Sequence, residues 1–174
     1  MLDCTVRDMT TDGISVTPSF GGTVVIADTT VSNNSVDGIF TAASGSGVLT
    51  ITLSHVKAIN SGFNGSGFGV RLTGLFASFL FATIDSTLIA ENGSGLALSA
   101  STSNVVTAFV INSNVVNNAN SITVGASTGI QIEKTSVVTY FGGVITNNRT
   151  ITSFGDNAIL DKVTGNGIQP RSLQ

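Results

Sequence analysis

Polar and apolar positions along this chain repeat in a fixed order. The pairs Thr5-Val6, Thr30-Val31, His55-Val56, Thr87-Leu88, Asn114-Val115 and Ser136-Val137 align at spacings of 25, 25, 32, 27 and 22 residues. The second member is aliphatic every time, and the residue before the pair is small in all six copies: Cys4, Thr29, Ser54, Ser86, Ser113 and Thr135. Inward, outward, inward is the alternation of a strand with one wet face. Four residues upstream of the pair stand Ile26, Ile51, Thr83, Val110 and Ile132, and two further upstream Val24, Leu49, Phe81, Ala108 and Ile130, so a second strand precedes the first and Phe81 is expected to face inward. The parity changes between the two strands, which places a bend near Asp28, Leu53, Asp85, Asn112 and Lys134. Downstream, Gly13-Ile14, Gly38-Ile39 and Gly95-Leu96 fall at one offset and open a third strand. Between these lie Asn33-Asn34, Asn60, Asn92 and Asn117-Asn118, a residue type that tolerates left-handed turns.

Three short strands per repeat of about 25 residues, with no helical stretch between them, predict an all-β parallel β-helix of about six to seven coils. An antiparallel sandwich would share the composition but gives no reason for two side-chain columns to recur six times. One domain over residues 1–168 is expected, begun without an upstream cap, with 169–174 as a tail. A first coil without a cap would let two chains stack end to end as a homo-oligomer.

Composition narrows the function. The chain has 19 Val, 15 Ile, 23 Thr, 21 Ser and 15 Asn among 174 residues, but only 7 Lys plus Arg and 10 Asp plus Glu, for a net charge of -3. Nucleic acid is an unsuitable partner, because phosphate neutralisation needs clustered cations. No window is long and apolar enough for a membrane span, and the N-terminus lacks the layout of a signal peptide. Cys4 is the only cysteine, which excludes a disulfide framework within one chain.

The segment Ile26-Ala27-Asp28-Thr29-Thr30-Val31-Ser32-Asn33-Asn34-Ser35-Val36-Asp37-Gly38-Ile39 is similar to the degenerate repeat of the right-handed parallel β-helix proteins of the pectin-lyase-like superfamily, as is Ile84-Asp85-Ser86-Thr87-Leu88 through Gly95-Leu96. Ser153-Phe154-Gly155-Asp156-Asn157-Ala158-Ile159 resembles the last coil of bacterial surface proteins of this type. The resemblance covers nearly the whole chain and implies a right-handed coil and a secreted or cell-surface location. Activity is not implied, since the superfamily spans polysaccharide lyases, hydrolases, esterases, epimerases, tailspikes and adhesins. The chain has no Gly-His-Gly, no Arg-Ile-Lys and no paired aspartate, so no catalytic residue transfers from the family.

The candidate residues are therefore read from the chain itself. His55, with Asp28 and Asp85 set diagonally to it, is the candidate catalytic group, since an imidazole beside carboxylates can act as a general base. Asp3 and Asp28, one coil apart, are the residues a Ca²⁺ ion would use, though no cofactor is expected. Phe63, Asn64 and Phe68, in the glycine-rich loop of the longest repeat, are the candidate binding residues, because a loop aromatic can stack on a sugar or anchor a partner. The expected function is a non-catalytic β-helix scaffold presenting a polar face to a polysaccharide or a protein. The alternatives are a carbohydrate-active enzyme, a polysaccharide lyase or glycoside hydrolase, and a self-assembling structural β-helix.

Overall fold

The computed structural model describes residues 3–62, 67–75, 78–101, 104–138 and 144–171. Each coil is three strands joined by two tight corners and one more variable loop. The first coil comprises Thr5–Arg7, Ile14–Val16 and Gly22–Ala27, and six further coils stack on it, giving three parallel sheets of seven strands. The first sheet runs from Thr5–Arg7 to Ala158–Ile159, the second from Ile14–Val16 to Lys162–Gly165 and the third from Gly22–Ala27 to Gln169–Arg171. The fold is a parallel β-helix of about seven coils. Among the described residues no helix is long and apolar enough to cross a membrane.

One continuous core runs along the axis, built from like residues stacked coil on coil. Val31, Ala58, Ile89, Val115 and Val137 form the inward column of the first sheet, and Ile26, Leu53, Ile84, Val110 and Ile132 form one in the third. These side chains are nearly all fully buried.

The first corner explains the parity change. Asp3, Asp28, His55, Ser86, Asn112 and Lys134 have φ between 46° and 53°, a left-handed conformation that reverses which face the next residue takes. The following residue turns inward, and there the chain uses hydroxyls. Thr29, Thr87, Ser113 and Thr135 each donate to the carbonyl two residues earlier, at 2.7 to 2.9 Å, and the Thr87 N–H donates to Ser113 Oγ at 3.1 Å. In the third coil this slot holds Val56. The first-sheet strand of that coil therefore begins at Lys57, with Thr30 paired to Lys57 and Lys57 to Leu88. The expected anchors His55-Val56 and Thr87-Leu88 are displaced accordingly, by two residues and by one. Leu53, expected at the bend, is a core residue, and His55 takes its place.

The second corner carries a buried amide ladder. Asp8, Asn33, Asn60, Glu91 and Asn117 hold the left-handed position, and the residues after the last four, Asn34, Ser61, Asn92 and Asn118, point inward. Asn92 Oδ1 accepts from the Ser61 N–H at 2.9 Å, while its Nδ2 donates to the Ala58 carbonyl and to Asn118 Oδ1, each at 3.0 Å. The glycines that open the second-sheet strands make room for this ladder: a Cβ on Gly69 would lie 2.5 Å from Asn92 Nδ2, and one on Gly95 2.8 Å from Asn118 Nδ2.

Candidate functional site

The residues expected to carry chemistry meet at the first corner. Asp28 and His55 are successive members of the left-handed column, so the stacking of coils puts His55 Nδ1 3.9 Å from Asp28 Oδ1 and 3.0 Å from Ser54 Oγ. Asp85 is adjacent, its carbonyl accepting the His55 N–H at 3.1 Å. Its carboxylate is occupied by Asn112 Nδ2 at 3.0 Å and Ser86 Oγ at 3.2 Å. The Asp28 and His55 side chains are 60% and 64% exposed, so nothing excludes water from the group and nothing concentrates its field. Asp3 and Asp28 stack in adjacent coils of the same column. No group of three or more His, Cys, Asp or Glu converges among the described residues.

The predicted binding residues divide. Phe63 and Asn64 lie outside the described residues. Phe68 opens a second-sheet strand and belongs to a cluster that sequence reasoning missed. Its N–H donates to Asp37 Oδ1 at 2.9 Å, and its ring lies 5.5 Å from the Arg71 guanidinium, which stacks on Phe40 at 4.5 Å. Arg71 Nη2 is 2.7 Å from Asp37 Oδ2, an ion pair with a fully buried carboxylate. Burial pushes the Asp37 pKa up, the Phe68 N–H and Arg71 pull it down, and Asp12 adds to the rise. The signal was available in the shared offset of Asp37-Gly38-Ile39-Phe40 and Phe68-Gly69-Val70-Arg71, which the register sets side by side. With Asp37 shut away and Arg71 one-third exposed, the cluster clasps two coils together.

The third sheet shows a different surface. Its outward positions in the first four coils are Thr23 and Val25, then Val48, Thr50 and Thr52, then Phe79, Phe81 and Thr83, then Val105, Thr107 and Phe109. None is charged. Phe81, expected in the core, faces out because Ala82 and Ile84 take the inward positions. Of the nine large hydrophobic residues that are exposed among the described residues, Val25, Val48, Phe79, Phe81 and Val105 stand on this face and Phe20 lies just before it. Single exposed hydrophobics are ordinary, but a contiguous set on one face marks an interaction surface. The fifth coil carries Gly129 in register with Phe81 and Thr107. A Cβ there would meet nothing within 4 Å, and Gly129 lines an open hollow of about 460 Å³ together with Phe79, Val105, Thr107, Thr128, Arg149 and Thr150.

Comparison with protein-family models, with curated proteins and with solved structures returns no match for this chain.

Proposed function

We propose that this protein is a non-catalytic β-helix scaffold that works by binding, and that the outer face of its third sheet is the binding surface. The observation that carries the reading is the face where five exposed Val and Phe side chains alternate with threonines and no charge falls among them. A glycan can lay the apolar face of a ring on phenylalanine and bond to the hydroxyls, and a protein can bury the same groups. The repeat's similarity to the pectin-lyase-like superfamily supports a secreted or surface-displayed scaffold of the bacterial kind. The exposed, uncovered His55 corner supports the absence of catalysis.

The test pairs binding with turnover. Retention on gels containing a panel of neutral and acidic polysaccharides, and pull-down of candidate proteins, should fall on changing Phe79 or Phe81 to Asp and stay unchanged on changing His55 to Asn. New reducing ends or unsaturated products that disappear in the His55→Asn variant would overturn the reading.

A further inference from the structure

We propose that a second copy of this chain docks face to face on the outer surface of the third sheet. The proposal rests on the reading of this face as the binding surface and names its partner. Three observations converge on a copy. Over the columns that hold Phe79, Phe81 and Thr83 the face carries no charge, so its middle meets a second copy without like-charge repulsion. Its size suffices: seven strands about 4.8 Å apart and five residues of about 3.3 Å rise project about 550 Å² per copy, about 1,100 Å² in total, above the roughly 1,000 Å² a specific interface needs.

The third observation is shape. Phe81 stands on the third strand of the sheet and Gly129 on the fifth, in one outward column, with Thr107 on the fourth between them. A twofold axis lying in the interface, parallel to the strands and over the fourth strand, sets strand three of one copy against strand five of the other. Phe81 of each copy then enters the hollow beside Gly129 of the other, and Phe109 meets its own symmetry mate. Knob and hollow are equidistant from the axis, as an isologous interface requires. In the last outward column the same axis brings Asp85 of each copy opposite Glu133 of the other; this column lies at the rim, open to water, where Asn112 bonds the first carboxylate and Lys134 pairs with the second.

Sedimentation of the full chain tests this. The mass should rise from 17.7 kDa to twice that as concentration increases from about 1 to about 100 μM, with little dependence on salt. Phe81→Ser and Gly129→Phe should each weaken the dimer about tenfold or more, and the exchange Phe81→Gly with Gly129→Phe should restore most of it, since knob and hollow then trade strands. Leu160→Asp, on another exposed side chain, should leave it unchanged. Circular dichroism verifies that each variant is folded. A monomer throughout, or a dimer indifferent to both single changes, overturns the proposal. Should Phe81→Ser still abolish polysaccharide retention in that event, the binding surface stands and only its partner is wrong; should retention also be indifferent, both readings fall.

Discussion

Replacing Asn92 by alanine should expose how much the buried amide ladder contributes to the fold. The substitution strips the acceptor from the Ser61 N–H and the donor from the Ala58 carbonyl, and both residues are at most 1% exposed. Water cannot readily replace either partner. An orphaned buried polar group costs about 1–3 kcal/mol, so the two together should remove about 2–6 kcal/mol. Asn118 Oδ1 keeps the Asn92 N–H, at 3.0 Å, so the loss stops at those two groups. For a chain of this length the expected fall in Tm is about 5–15 °C. Urea unfolding followed by circular dichroism measures it, with Asn120→Ser as the control, since Asn120 is exposed and its side chain makes a long bond to Ser94 Oγ, at 3.4 Å. Asn92→Asp sharpens the test, because an ionised carboxylate cannot donate to Ala58. Its burial raises the folded-state pKa, so the variant should be closer to wild type near pH 4 and lose stability as pH rises. An Asn92→Ala protein within about 0.5 kcal/mol of wild type would refute the ladder as a source of stability.

Gly69→Ala should lose about 1–3 kcal/mol, because its Cβ would press on Asn92 and Ile89, while Gly129→Ala should be neutral or slightly stabilising in the same urea titration. Asp37, raised by burial above 3.8, binds its proton more tightly in the fold than in the unfolded chain. Its contribution to stability is therefore fully present below pH 3.8 and is lost as pH climbs through the folded value. Urea midpoints across the acid range should show wild type losing ground to Asp37→Asn as pH rises, and the opposite slope would contradict the cause assigned to the shift. His55→Val should cost about 1–2 kcal/mol because φ is 53°, whereas His55→Gly and His55→Asn should be nearly silent.

The architecture was legible because a solenoid stacks like on like. Thr29, Ser113 and Thr135 occupy one corner slot and Val31, Val115 and Val137 one core column, and both columns show in the text of the chain. The register of the third coil was not legible, for a physical reason. Val56 fills the slot that four other coils give to a hydroxyl, and the nearest small residue before it is Ser54, two positions upstream. The outward Phe81 was hidden by the fourth coil instead, where Ser86 was read in the slot of Thr87 and the strand shifted by one residue; a shift of two keeps the faces of a strand, and a shift of one exchanges them. The left-handed corner residues were legible as a type, since Asp and Asn dominate them, but Glu91 and His55 occupy the same conformation on the strength of their neighbours alone. The Asp37–Arg71 clasp was hidden because its members lie 34 residues apart and only the Phe40–Arg71 pairing joins them.

Hydroxyl-radical footprinting of the phenylalanines tests the central claim most directly. Phe79, Phe81 and Phe109 should be labelled readily in dilute protein and become protected together as concentration rises, while Phe40, stacked under Arg71 on the second sheet, keeps a constant rate. Unchanged labelling of the third-sheet phenylalanines at every concentration and with every polysaccharide or protein partner that binds, or protection centred on the His55 corner instead, would contradict the claim that this face is where the protein works.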